Sequence, residues 1–215
     1  MNSEINSGEA LLDQKDKQSN GFLYAIIFFL VAVILVLQFI ALQPIDGESM
    51  ENTLHDKQVC LVLRGIPFKT NRGDIVTINT AEKGEADHII IKRVVAIEGD
   101  RLIFMTDETG TYVDLYICEN GADRFTLKDE PYIRERMLDS ASVYSKVTIL
   151  SYTSSLTELD ASDETAISGL TDFIIEVPDN SIYFLGDNRN VSRDSRYYGT
   201  RTTDKITSKV ISTLN

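Results

Sequence analysis

Phe22 to Leu42 reads FLYAIIFFLVAVILVLQFIAL, a run with no charge and one polar interruption, Gln38. At 1.5 Å rise per residue, about twenty residues reach across the roughly 30 Å of a hydrocarbon core. Lipid offers the backbone no hydrogen-bond partners, so a helix is the single-segment solution. Tyr24 suits an interfacial position, and Pro44 stops the helix on the far side. A cleaved secretory signal would have an apolar core of about 7–15 residues and a small-x-small site. Here the core is longer, and Ala41-Leu42-Gln43 is a poor cleavage site. The expectation is therefore a retained transmembrane helix over 22–42, a polar tail over 1–20 and a domain over 43–215. Charge does not orient the helix: Lys15 and Lys17 precede it, and Lys57, Arg64 and Lys69 follow.

A net charge of −12 leaves no basic patch to neutralise phosphates, which argues against nucleic acid as a partner. Solubility is the simpler reason for the acidity. Cys60 and Cys118 are too far apart in sequence for a CxxC redox or zinc pair, and His55 and His88 complete no metal spacing. Cys60, within Val59-Cys60-Leu61-Val62-Leu63, reads as a small buried hydrophobe; a disulfide to Cys118 stays open.

Beyond the anchor the signals are those of strands. Segments 59–63, 74–79, 88–97, 112–118, 147–152, 173–177 and 181–185 are rich in Val, Ile, Tyr and Phe and punctuated by Gly, Pro, Asn and Asp. A short helix is expected over Ile133 to Leu138, and Ser151 to Thr171 reads as a solvated excursion. The fold class is mostly β, with coiled or barrel-like antiparallel sheets.

Three segments carry chemistry. The first is Pro44-Ile45-Asp46-Gly47-Glu48-Ser49-Met50-Glu51-Asn52-Thr53-Leu54, directly after the apolar run. A serine hydroxyl is a weak nucleophile and needs a base within about 2.6–3.2 Å. In His88-Ile89-Ile90-Ile91-Lys92-Arg93-Val94-Val95-Ala96-Ile97, strand alternation sets Lys92 on the face of Ile90, Val94 and Ala96. Apolar surroundings favour the neutral amine and so a lysine able to act as a base. Alone, Lys92 reads more simply as a lysine snorkelling from an edge strand. The third segment, Gly186 to Arg196, reads GDNRNVSRDSR and alone would pass for a polar turn. His55 and His88 sit in no triad motif and read as surface or strand-start residues.

Taken together, G-E-S-M-E-N-T-L, I-K-R-V-V-A-I-E-G-D and G-D-N-R-N-V-S-R-D-S-R resemble the boxes of bacterial type I signal peptidases of the single-anchor Gram-positive kind. The resemblance implies a coiled antiparallel β-sheet catalytic domain outside the membrane, a cytoplasmic amino terminus and a variable inserted subdomain over 103–172. It implies Ser49 as nucleophile and Lys92 as general base. The Ser49 N–H is the expected oxyanion donor, with Gly47 where many relatives carry a second, hydroxyl donor. Ser192 matches the hydroxyl that orients the lysine, Asp187 an acid beside Arg93, and Asp194 and Arg196 a supporting ion pair. Asn190 stands where some relatives carry Asp. The substrate strand is expected beside Ile45, Asp46 and Gly47, the substrates being exported preproteins cut after small-x-small sites. Membrane lipid is the partner of the anchor, and neither cofactor nor metal is implied. A dedicated processor of pilin-like subunits stays open. A non-catalytic assembly partner would lack the serine or the lysine, and both are here. A self-cleaving soluble repressor is excluded by the anchor and the lack of a DNA-binding segment.

Overall fold

The computed structural model describes residues 21–65, 68–82, 84–139 and 145–214. The expected tail over 1–20 lies outside them. The chain divides into two compact units at the Ala41/Leu42 junction.

In the first unit, residues 21–37 are helical (α1). This corrects the expected 22–42 helix at its end: the backbone turns at 38–39, and Ile40–Pro44 is a strand, β1. Among the described residues no helix is long and apolar enough to cross a membrane. The strand opens on Ile40, whose β-branched side chain suits an extended backbone. The helix nonetheless exposes Phe22, Tyr24, Phe28 and Phe29 by 65% or more.

The second unit is two antiparallel sheets. One has the order β1-β2-β12-β3-β4-β10-β11, with β2 Val59–Arg64, β3 Ile75–Asn79, β4 Ile89–Ile97, β10 Ser181–Leu185, β11 Arg201–Thr202 and β12 Ile206–Leu214. The other has the order β7-β6-β5-β9, from β5 Arg101–Thr106, β6 Tyr112–Cys118, β7 Thr126–Leu127 and β9 Ile175–Glu176, with β8 Met137–Leu138 also on β6. Side-chain alternation sorts the apolar residues into layers. Leu102 and Phe104 join Leu115, Ala96, Tyr183 and Leu185 in a core shared by both sheets. Ile103 and Met105 face the other way, onto Phe125, Leu156 and Ala161. Ile182 and Phe184 pack with Val76, Ile78 and Val94 on the far face of the first sheet.

Several expectations need correction. Residues 133–138 are not helical: they form a turn that ends in β8, which pairs with β6. Residues 147–152 make no strand beyond one parallel bridge, Met105 to Leu150. The 151–171 stretch is less solvated than its composition implies, because Leu156 and Ala161 are buried in the core beneath it, and it holds a short helix, α2 Glu164–Ile167. Cys60 and Cys118 are both buried and free.

Candidate active site

The turn that carries Ser49 is built by burial. Met50 and Leu54 are fully buried, and the Met50 carbonyl accepts from Thr53 N at 3.0 Å and Leu54 N at 2.9 Å. That pins the chain just after Ser49. Just before it, Gly47 has φ +90°, a conformation glycine adopts without strain, and its N–H donates to Asp56 Oδ1 at 2.7 Å. The Gly47 N–H is therefore committed to Asp56. Burial, the Gly47 hydrogen bond and nearby Lys57 act on Asp56; the Gly47 bond is the largest effect, and the carboxyl is held below its usual range.

Lys92 lies mid-strand in β4 and is 3% exposed. Its Nζ is 2.6 Å from Ser49 Oγ and donates to the Ile91 carbonyl at 2.7 Å. A neutral amine has two N–H bonds and one lone pair. With one N–H on Ile91, the lone pair is left to accept the Ser49 hydroxyl proton. Burial is the main reason its pKa falls from 10.5 to about 8; Asp194 and Asp187 pull it upward, and Arg196 adds to the fall.

The third segment surrounds this pair. Arg93 forks onto Asp187 through Nε at 2.9 Å and Nη2 at 2.6 Å, and Thr53 Oγ1 donates to the same carboxylate at 2.5 Å. Arg196 forks onto Asp194 at 2.9 and 2.8 Å, with both side chains fully buried. Burial pushes the Asp194 carboxyl up, but the Arg196 charge, the bonds from Arg196 and Gly186 and the nearby Ser192 hydroxyl outweigh it and hold it low. Ser192 Oγ is buried, lies near enough to Asp194 to act on it, and makes no hydrogen bond of normal geometry among the described residues. It does not bond Lys92, whose hydrogen bonds go to Ser49 and Ile91.

Gly186 was read only as the start of a motif, and the structure gives it a reason. A Cβ there would sit 2.1 Å from Ser192 Oγ and 2.4 Å from the Ser49 carbonyl oxygen, so only glycine lets these two approach. Asn188 ties the same spot: its N–H donates to the Ser49 carbonyl at 3.1 Å and its Nδ2 to the Glu48 carbonyl at 3.2 Å. Ser195, which carried no expected role, is fully buried and accepts the Phe184 N–H at 2.9 Å. Its hydroxyl position could not be told from Ser192's by composition alone. His55 bonds Glu51 at the surface, and His88 bonds Thr80.

A cleft of about 400 Å³ opens over the pair, walled by residues 43–46 on one side and 88–92 on the other. Both walls offer backbone. β10 pairs with β4 only from Arg93 onward, so the edge of β4 over Ile89–Lys92 has β3 on one side and the cleft on the other. Opposite, Ile45 is 2% exposed and spends both its backbone groups on the β2 side, its N–H on Gln58 and its carbonyl on Lys57 N. Alternation turns the Pro44 carbonyl and the Asp46 backbone to the cleft. A larger hollow of about 600 Å³ lies around Glu82, Tyr198 and Arg201 and holds neither Ser49 nor Lys92.

Comparison with known proteins covers most of the chain. A family model described as signal peptidase, peptidase S26, matches residues 19–214. A signal peptidase I of Bacillus amyloliquefaciens is 32% identical over 177 residues, covering 80% of this chain and 74% of that protein. One of Streptococcus pneumoniae is 31% identical over 168 residues, covering 76% of each. A crystal structure of a signal peptidase I from Enterococcus faecalis V583 aligns with 68% of this chain and all of its own, at 22% identity and a TM-score of 0.39.

Proposed function

The chain belongs to the signal peptidase I (peptidase S26) family of serine endopeptidases, and from that membership we propose that it removes signal peptides from exported preproteins with Ser49 as nucleophile and Lys92 as general base. The observation that carries the residue assignment is the 2.6 Å approach of a buried lysine Nζ to a serine Oγ at the floor of a cleft.

Neutral Lys92 accepts the Ser49 proton as Oγ attacks the scissile carbonyl. The oxyanion forms beside the Ser49 N–H, which has no protein acceptor among the described residues. Lys92, now an ammonium, gives its proton to the departing amine, the amide C–N bond breaks, and the signal peptide stays esterified to Ser49. Water then loses a proton to Lys92 and attacks the ester; the proton returns to Ser49, and the signal peptide leaves as a carboxylic acid.

The substrate strand enters between the two cleft walls. It pairs with the free edge of β4 and with Pro44 and Asp46, a shift from the expected Ile45-to-Gly47 edge because Ile45 and Gly47 already spend their N–H groups elsewhere. Ser192 remains the proposed orienting hydroxyl, supported by its burial without a normal partner against the glycine that also contacts Ser49. Residues 42–215 form the catalytic domain, with the second sheet as its inserted subdomain. The apolar side chains exposed along α1 support attachment to the membrane through this segment; an amino terminus in the cytoplasm and a catalytic domain outside are inferred from the family alone.

Ser49→Ala and Lys92→Ala in the full-length protein should each abolish preprotein cleavage while leaving membrane insertion intact. Because the two act as one unit, the double variant should be little worse than either single. Cleavage at near-normal turnover by Lys92→Ala would remove the base from this residue.

A further inference from the structure

The turn between β7 and β8, residues 128–136, comes from the second sheet, yet its buried contacts are with the catalytic segments of the first. Glu130, with a side chain 6% exposed, receives a fork from the fully buried Arg189 at 2.5 and 2.6 Å. Arg189 in turn donates from Nε to the carbonyl of Gly186, the glycine wedged against Ser49 and Ser192, at 3.0 Å. The Tyr132 hydroxyl donates to Glu130 at 2.7 Å, and its ring lies 4.0 Å beneath the guanidinium of Arg93, the partner of Asp187. Asn190 closes the clasp from the other side: it accepts from Leu138 N at 2.9 Å and donates to the Arg136 carbonyl at 3.1 Å.

We propose that Glu130 and Tyr132 are positioning residues for the reaction: through Arg189 they fix Gly186 and hence Ser49, and through Arg93 they fix Asp187 in the field of Lys92. Charge explains why the turn should matter. Arg93, Arg189 and Arg196 are matched by Asp187, Glu130 and Asp194, so the buried shell is formally neutral only with Glu130 in place and Lys92 uncharged. Removing Glu130 leaves the buried Arg189 charge without its carboxylate, and on this proposal Arg189 then turns to Asp187, two residues before it, in competition with Arg93. Asp187 and Asp194 favour the ammonium form of Lys92 and Arg196 opposes it, so drawing Asp187 away lowers the pH at which Lys92 becomes a base.

This inference rests on Lys92 as base, and the test separates the two. Full-length enzyme in detergent micelles is assayed on a preprotein from pH 5 to 10, as wild type, Glu130→Gln, Tyr132→Phe, Tyr132→Leu and the exposed control Asp129→Asn. Glu130→Gln should lower kcat on the order of 10-fold or more with little change in KM, and move the rising limb of kcat/KM to lower pH. Tyr132→Leu, which keeps the Glu130–Arg189 pair, should shift the limb in the same direction. Tyr132→Phe, which keeps the ring over Arg93, should restore most of the activity, and Asp129→Asn should match wild type. A wild-type profile without a rising limb would sink the base assignment itself. A wild-type limb that neither Glu130→Gln nor Tyr132→Leu moves, with kcat unchanged, would overturn only the positioning role. If Glu130→Gln does not fold, Tyr132→Leu decides by the same two readouts.

Discussion

The proposed Ser49–Lys92 pair works only if the amine is neutral near physiological pH, and each neighbour can be judged by what it does to that condition. Two serines three residues apart show how differently buried hydroxyls can serve. Ser192→Ala removes a hydroxyl with no normal partner, so stability should hardly change while kcat falls on the order of 10- to 100-fold. Ser195→Ala leaves the buried Phe184 N–H without an acceptor, at about 1–3 kcal/mol, so Tm should drop by several degrees with kcat per folded molecule preserved. The reverse pattern, from thermal melts and kinetics on both variants, would exchange their roles. Gly186→Ala is harsher: the new Cβ meets the Ser49 backbone oxygen, which cannot swing aside as a side chain could. A displacement of about 1 Å at the nucleophile costs on the order of 100-fold, so kcat should fall at least that far. The meeting of Ser49 with Lys92 and the two Arg–Asp forks were legible in the sequence because each lies in a distinctive motif. The contact of Glu130 with Arg189 was not, since the residues are 59 positions apart and nothing local links them.

At the level of elements, strands rich in β-branched and aromatic residues between turn signals were the readable ones, β10 included although all five of its residues are buried. β12 escaped notice because ITSKVISTL carries Thr, Ser and Lys and is half exposed along most of its length. Yet it lies between β2 and β3, pairing over Ser208 to Leu214 with one and Ile206 to Lys209 with the other. Ending the chain before Ile206 should therefore abolish cooperative unfolding and activity together; a truncated protein that melts cooperatively with wild-type turnover would show that β12 is dispensable. β5 was missed because RLIFMT, though buried through its centre, carries Arg, Leu and Met beside its few strand-favouring residues. The turn at 133–136 was mistaken for helix because Arg134, Glu135 and Arg136 are good helix formers, whereas clamping of Arg136 and Leu138 by Asn190 holds the chain extended into β8.

Across the whole molecule, the buried Lys92 makes stability depend on pH. Between about 8, its folded pKa, and its usual 10.5, the unfolded chain holds a proton on Lys92 that the folded chain has released. Stability therefore rises with pH through that window, and below it the cost of a buried ammonium is felt in full. Lys92→Met should be more stable than wild type at pH 7, by on the order of 3 kcal/mol, and the gap should close by pH 10.5. Denaturant melts of both proteins across that range check it; a gap independent of pH would mean the amine is solvated.

The Ser49–Lys92 dyad is tested most directly by the pH dependence of kcat/KM for full-length enzyme acting on a preprotein, which reports the free enzyme. A single limb should rise about tenfold per pH unit and level off, with its midpoint near the Lys92 value of about 8. A profile flat from pH 6 to 10, or one that falls as the lysine loses its proton, would contradict a neutral Lys92 as the base that activates Ser49.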